Sequence, residues 1–495
     1  MTHRADQSSS EIQPTPAPRV ATTHQLANRA VLTSAARLGD IALVGVVVLG
    51  ARFLGTERFG LFMFGLTLAT VIVVPVLESF IPMMTKSAAR HPLRVGGEVG
   101  SLIMLQVALL AGLLGLGWGA LHMAHISAAR QQMVLIMGLA LGVRGPLEVM
   151  RSAFRGLGRF DTELKVTIVE RSLLLCSAAV VLCGGGGPYA LGACFIVARL
   201  LAMAYALRWF DRLGHTMEWY ARTWSHHLKE ATPYGFTKWI YSLFDQVGTL
   251  CIAWLLSDAA TGIYSAAFRL FDGASALPQV LVLVLLPEVT VRSHLAPSRI
   301  APLVRRAAAY MALVALPLTA GLLVEGRWFI AQVYGTGYSG AATALRVLAV
   351  AILFAFTSEI ARATLWALDR QRTVLTIIAG GLLMNAFLCL WLVPRYAATG
   401  AALAALASNI VVWVAMWRVL AREGVAWPWV DAVVKPGLVA LAAAGTLMGL
   451  HGMYWPVRFL AAGLVALCAL VATKSVTPLE WSVVRSLPGR LVPHH

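Results

Sequence analysis

The sequence predicts an all-α membrane protein of about fourteen transmembrane helices: two six-helix lobes related by a pseudo-twofold along the membrane normal, plus a C-terminal helix pair. Three observations predict it. The composition is too apolar for water, apolar runs of bilayer length follow one another with short punctuation, and the two halves repeat. Hydrophobic residues make up 59% of the chain and charged residues 13%, against about 25% charged in a typical soluble domain. Most side chains must therefore face lipid or other helices.

Spanning the hydrocarbon layer takes roughly 20 apolar residues in helical form. Runs of that kind start near positions 30, 59, 99, 131, 166, 188, 236, 262, 307, 341, 373, 398, 431 and 455. They are too long for barrel strands and lack two-residue alternation. Residues 1–24 are polar with no apolar core before a cleavage site, so they read as a disordered cytoplasmic tail rather than a signal peptide. An N-lobe then takes 25–212, a cytoplasmic linker 213–228, a C-lobe 229–423, the extra helix pair 431–474 and a second cytoplasmic tail 475–495. His226 and His227 in the linker lack a third ligand and read as solvated.

The net charge of +17 raises a nucleic-acid partner, since basic proteins bind phosphate backbones. The distribution excludes it, because the cations sit singly or in small groups at the ends of apolar runs. One set of loops holds Lys86, Arg90 and Arg94, then Arg151, Arg155 and Arg159, then Arg208, Arg212, Arg222 and Lys229. The same side later holds Arg292, Arg299, Arg305 and Arg306, then Arg370 and Arg372, then Arg418 and Arg422. The alternate loops hold only Arg52, Arg58, Arg130, Arg327, Arg395 and Arg458. By the positive-inside rule both termini are cytoplasmic in a multi-pass inner-membrane protein, as an even helix count requires. Cys176, Cys183, Cys194, Cys251, Cys389 and Cys468 form no C-x-x-C pair and read as buried free thiols, with no metal or redox cofactor implied.

The halves match at an offset of about 205 residues. Arg37-Leu-Gly-Asp40 answers Ser242-Leu-Phe-Asp245, Gly60-Leu-Phe answers Gly262-Ile-Tyr, Pro75 falls near Pro278 and Pro82 near Pro287. Glu148-Val-Met-Arg151 through Arg159 parallels Glu359-Ile-Ala-Arg362 through Arg370, and Tyr189-Ala-Leu-Gly192 parallels Ala397-Ala-Thr-Gly400. Six helices per repeat is an even number, so both lobes insert the same way up. Transporters of this kind carry their site between lobes near the midplane.

Charges within the spans cost about 2.5–3.5 kcal/mol each on insertion scales, so they pair or face a cavity. They include Arg37, Asp40, Glu78, Arg144, Glu148, Glu170, Arg171, Arg199, Lys238, Asp245, Arg269, Asp272, Glu359 and Arg362. Arg37/Asp40, Arg269/Asp272 and Glu359/Arg362 are three apart and share a helix face. Arg144, Glu148, Arg151 and Arg155 form one stripe, expected to line an aqueous cavity. For Arg151, Arg155 and Arg362, near helix ends, a structural pin whose tip snorkels to the interface is the competing reading. Glu170 and Arg171 are adjacent and point apart, as a topology device would. Arg37, Arg144, Arg151, Lys238, Arg269 and Arg362 are the candidate substrate contacts; Asp40, Glu78, Glu148, Asp245, Asp272 and Glu359 are the candidate ion-coupling or pairing acids.

Two weaker motifs fall away. Gly335-Thr-Gly337-Tyr-Ser-Gly340 fits G-x-G-x-x-G with no βαβ unit around it, and Gly184–Gly187 reads as a turn between helices 5 and 6. There is no Walker A sequence.

Other segments carry a family resemblance. Ala51-Arg-Phe-Leu-Gly-Thr-Glu-Arg-Phe-Gly60-Leu-Phe, Gly262-Ile-Tyr-Ser-Ala-Ala-Phe-Arg269-Leu and Val333-Tyr-Gly-Thr-Gly-Tyr-Ser-Gly-Ala-Ala342 resemble joints of the Wzx-type polysaccharide flippases of the multidrug/oligosaccharidyl-lipid/polysaccharide exporter superfamily. Leu368-Asp-Arg-Gln-Arg372 and Val393-Pro-Arg-Tyr complete the pattern, which covers roughly residues 25–423. The resemblance implies alternating-access transfer of a polyprenyl-diphosphate-linked oligosaccharide, for cell-surface polysaccharide such as lipopolysaccharide, from the cytoplasmic to the periplasmic leaflet. It also implies contact with membrane lipids and admits a polysaccharide polymerase or glycosyltransferase partner; the energy source is the membrane potential or antiport of a proton or sodium coupling ion. Helices 1, 2, 7 and 8 line the cavity in such folds, so Arg37, Asp40, Glu78, Lys238, Asp245, Arg269 and Asp272 carry over by position. A lipid II flippase and a drug/cation antiporter of the same superfamily are the alternatives. A polytopic glycosyltransferase or polymerase fits worse, because the outward loops are short and hold no carboxylate cluster.

Overall fold

Runs of Leu, Val, Ala and Ile in a solvent without water must satisfy every backbone group within the segment, which selects helix. The computed structural model describes residues 23–275, 277–279, 282, 297–450 and 452–473, with side chains from residue 43 onward except at 297–299. Among the described residues there is helix and turn and no strand. Ten of the helical spans among them are long and apolar enough to cross a membrane.

The N-lobe comprises α1 (Thr23–Leu77), α2 (Phe80–Arg90), α3 (Val95–Met123), α4 (Ala128–Gly156), α5 (Phe160–Cys183) and α6 (Pro188–Arg212). The C-lobe comprises α7 (Trp224–Leu255), α8 (Asp258–Ala274), α9 (Pro297–Tyr334), α10 (Ala341–Ala367) and α11 (Gln371–Arg422). A π-helical turn, Val430–Val434, leads into α12 (Lys435–Gly449), and α13 (Trp455–Ala472) follows.

Two of these helices are hairpins. The chain turns in α1 at Gly55 (φ 74°, ψ 174°) and in α11 at Ala397 (φ 47°, ψ −127°). A β-carbon on Gly50 would lie 3.9 Å from the Phe59 ring, and one on Gly400 would lie 2.4 Å from the Leu392 carbonyl oxygen. In continuous helix those residues stand about 12–13.5 Å apart. With both hairpins opened out, the helices follow the fourteen predicted spans.

The repeat is visible in detail. Glu148 pairs with Arg151, and Glu359 with Arg362, three residues apart in each lobe. The turn after each helix passes through a left-handed residue, Gly158 (φ 73°) and Asp369 (φ 57°), and Arg159 and Arg370 then stand at the N-caps of α5 and α11. Most telling is the contact between the repeats. A β-carbon on Gly60 would lie 1.7 Å from the Asp258 carbonyl oxygen and 2.9 Å from the Gly262 nitrogen. One on Gly262 would lie 2.1 Å from the Thr56 carbonyl oxygen and 3.2 Å from the Gly60 nitrogen. Equivalent residues meet one another only on the axis relating their units, so the pseudo-twofold passes between Gly60 and Gly262. Pro287, the expected partner of Pro82, lies outside the described residues.

α12 packs on α9, and α13 packs on α12. Arg458, read from sequence as a loop charge, instead donates to Glu325 on α9 at 3.1 Å with both side chains buried. Trp328 beside it packs on Trp455 and Phe459. The thiols are a second correction: Cys194 and Cys389 are buried, but Cys176, Cys183 and Cys468 are exposed. A lipid-facing thiol has nothing to gain from a protein interior, since both surroundings are apolar.

Candidate functional site

The polar residues of α7 recur at helical spacing: Thr237, Lys238, Tyr241, Asp245 and Gly248 lie along one face. That face, with parts of α8, α10 and α11, encloses a chamber of about 550 Å³. Its charged lining is Lys238, Asp245, Asp272, Glu359 and Arg362.

Each charge is held differently. Arg362 donates to Glu359, one turn back on α10. Its guanidinium lies 5.2 Å from the Tyr241 ring centroid and 5.4 Å from that of Trp366, a double cation–π support. Lys238 lies 2.9 Å from Glu78, between α1 and α2, and so ties the lobes together. Asp272 accepts from Arg269 Nη1 at 3.1 Å. Asp245 is exposed to the chamber and has no ion-pair partner among the described residues. An ionisable group without such a partner is satisfied by water or by a polar ligand.

Every lining residue among the described ones belongs to the C-lobe, and Lys238 reaches from the chamber across the lobe seam to Glu78. The lobes also touch directly: a β-carbon on Gly235 would lie 2.4 Å from the Pro75 carbonyl oxygen, and Thr67 donates to Gln246 at 3.3 Å. Arg269 is not itself a lining residue but donates to Asp272, which is, and its Nε finds no partner among the described residues. Arg37 and Asp40 fall on α1, two turns and one turn before Val44, which meets Gly273 of α8; their side chains lie outside the described residues.

In the N-lobe stripe, Arg151 and Arg155 follow the competing reading, a structural pin between helices. Arg151 is 4% exposed and bonds to Glu148 at 2.9 Å and to Glu170 on α5. Arg199 on α6 reaches Glu170 at 3.4 Å and the Ala140 carbonyl at 2.8 Å, and Arg171 lies 3.9 Å from Glu170. Arg155 donates to Glu163 at 3.0 Å. Glu148 and Arg151 therefore line no cavity, because neighbouring helices supply counter-ions in place of water. Arg144, 3.6 Å from Glu148, stays 30% exposed. Glu170 and Arg171 are core members of this network rather than a topology device.

Sequence reasoning missed the uncharged polar lining, Tyr241, Ser358, Asn385 and Asn409. The available signal was their phase: Tyr241 sits between Lys238 and Asp245, and Ser358 beside Glu359.

This fold and chamber define a multi-pass membrane protein of the two-lobe transporter architecture, with a chamber lined by charged residues. A family model described as polysaccharide biosynthesis protein matches residues 26–289, more than half of the sequence, and the chain belongs to that family. Its fold is that of the lipid II flippase MurJ in the inward closed conformation: TM-score 0.74 at 15% identity, over 92% of this chain and 100% of that one. An inward-facing multidrug resistance MATE family transporter of the MOP superfamily matches with TM-score 0.62 at 11% identity, over 81% of this chain and 98% of that one. A Vibrio cholerae MATE transporter matches with TM-score 0.60 at 16% identity and the same coverage. A sequence comparison with curated proteins finds no match.

Proposed function

We propose that this protein moves a polyprenyl-diphosphate-linked oligosaccharide from the cytoplasmic to the periplasmic leaflet of the bacterial inner membrane by alternating access. The orientation assumed puts both termini and the linker in the cytoplasm. The observation that carries the reading is the charged chamber, with close backbone contact between Gly60 and Gly262 at the Gly55 end. The polysaccharide biosynthesis family supports the substrate class.

Burying one hydroxyl without a partner costs roughly 2–7 kcal/mol, and a bare diphosphate far more. A sugar head group therefore crosses lipid only if something replaces its water. The chamber offers Lys238 and Arg362 to phosphate oxygens, and a guanidinium held over two aromatic rings is already oriented for bidentate contact. Asp245, Asp272, Glu359, Asn385 and Asn409 offer acceptors to sugar hydroxyls. The polyprenyl chain stays in lipid. Arg37 and Arg269 join the path by position on α1 and α8, with Arg269 committed to Asp272 in this state. Asp245, without an ion-pair partner among the described residues, is the proposed coupling group for a proton or sodium ion. Sites for a polymerase or glycosyltransferase partner are assigned to no surface.

The test uses proteoliposomes loaded with a lipid-linked saccharide whose sugar is read by an outside lectin. Arg362→Gln is expected to slow transfer at least tenfold at unchanged folded yield. Transfer at the wild-type rate by Arg362→Gln combined with Lys238→Gln removes the proposal. The excess of acids over cations in the chamber favours a second reading, export of an organic cation. Efflux of a cationic dye, with no movement of the lipid-linked saccharide, would establish that instead.

A further inference from the structure

A second cavity, of about 790 Å³, opens at the linker end of the N-lobe, separate from the chamber. Its walls are the 3-10 turn Pro92–Arg94 between α2 and α3, the first turn of α3, the linker after Gly214 and the first turns of α7. Small residues build it. A β-carbon on Gly96 would lie 2.0 Å from the Thr216 carbonyl oxygen, and one on Gly100 would lie 2.2 Å from that of Glu218, so the linker backbone rests directly on α3. Ser101 and Thr223, 3.1 Å apart through their hydroxyls, fix its far end.

Its chemistry is that of a receptor site. Arg90 and Arg94 stand exposed at the rim, and neither has a carboxylate at ion-pair distance among the described residues. At the floor lies His227, 7% exposed, with neither ring nitrogen hydrogen-bonded. The sequence reading had it solvated; only its neighbour His226 is, beside Glu230 at 3.8 Å. Burial holds the His227 imidazole below its ordinary pKa, so at neutral pH it offers one donor and one acceptor. Buried polar atoms in native proteins are nearly always satisfied, and an unpartnered buried imidazole on the cavity wall calls for a ligand group. Glu218 lines the same wall and accepts hydrogen bonds only. A bare anion would be repelled by that carboxylate, whereas a ligand carrying hydroxyls beside its phosphate would be held by it. Leu93, 96% exposed between the two arginines, suits insertion among lipid head groups, which sets the mouth at the membrane surface. The cleft also adjoins the chamber: Lys86 on its wall lies 3.3 Å from the Tyr234 hydroxyl, one turn before Lys238 on α7.

We infer that this cleft receives a phosphorylated saccharide head group, with phosphate on Arg90 and Arg94 and sugar hydroxyls on Glu218 and His227. The inference rests on the substrate class proposed above, and makes capture at the surface a step distinct from passage through the chamber.

The test uses the full chain in phosphatidylcholine nanodiscs, read by native mass spectrometry and by hydrogen exchange of segments 91–98 and 214–223. The probes are polyprenyl-diphosphate-linked N-acetylglucosamine, soluble N-acetylglucosamine 1-phosphate and phosphatidylglycerol. The lipid-linked probe should bind and slow exchange in both segments. Arg90→Gln with Arg94→Gln should weaken it at least tenfold, and His227→Phe about fivefold, while the exposed Arg372→Gln leaves it unchanged. Protection by the soluble probe as well means the phosphorylated sugar suffices; protection by the lipid-linked probe alone means the membrane-borne form is required. Either supports the site. Equal protection by phosphatidylglycerol, or wild-type affinity in the double arginine variant, overturns it. A protein that binds at the cleft yet moves no lipid across a bilayer removes the transport reading and leaves this one. A double variant that transports and binds as wild type does the reverse.

Discussion

Replacing Gly262 by Ala tests whether the Gly60–Gly262 contact is a gate. The new β-carbon would sit 2.1 Å from the Thr56 carbonyl oxygen, where an ordinary contact is 3.4–4 Å. The shortfall is therefore about 1.3 Å. The obstructing atom belongs to the backbone and cannot swing aside as a side chain could, so the lobes must part at this end. Overpacking of this kind costs about 1–3 kcal/mol, charged only to the state in which the helices touch. A two-state equilibrium then shifts about 5–150-fold toward the state open at the Gly55 end. The assay is an interlobe distance from spin labels at Ala128 and Thr336, in a background freed of the six native cysteines, with transport measured in parallel. The distribution should gain a longer component, and transport should fall because closure at this end is taxed. Gly112→Ala, where nothing lies within 4 Å, is the matched control and should change neither. An unaltered distance distribution with full transport in Gly262→Ala would refute the gate.

Two further outcomes follow from the charges. Glu170→Gln removes the acid that Arg151, Arg171 and Arg199 share, leaving Glu148 to face four arginines with Arg144. Breaking a buried network of this kind costs about 3–5 kcal/mol, so folded yield in detergent should collapse, as size-exclusion chromatography would record. Asp245→Asn should leave folding intact and abolish stimulation of transport by an imposed proton or sodium gradient. Transport by that variant that still follows the gradient would move the coupling role elsewhere.

What was legible in the sequence was whatever lipid forces to be local. Helical spans announce themselves because each must close its own hydrogen bonds, and the positions of Arg159 and Arg370 after equivalent turns could be matched without coordinates. The direction a charged face takes was not legible, because it depends on partners from other helices. Arg458 looked like a loop charge until Glu325, far away in sequence, was found beneath it. His227 looked solvated because nothing in its own neighbourhood says that glycines 96, 97 and 100 let the linker fold over it.

The two lobes make the point most sharply, because they begin from the same motif and end differently. Glu148–Arg151 and Glu359–Arg362 have the same spacing, yet Arg151 is buried against Glu170 while Glu359 and Arg362 line the chamber. Counting on from the paired N-caps Arg159 and Arg370, the position of Glu170 in the C-lobe is Gly381; counting from Gly192 and Gly400, that of Arg199 is Ala407. The C-lobe thus lacks both counter-ions that close the N-lobe network. Gly381 instead lets Val412 and Phe244 approach the α11 backbone, and both of those side chains line the chamber. A charged pair denied its protein partners must take water or a ligand. On this argument the two repeats have divided the work, the N-lobe spending its charges on rigidity and the C-lobe leaving Arg362 available to a substrate. Restoring an acid through Gly381→Glu should pull Arg362 into a buried pair and close the chamber.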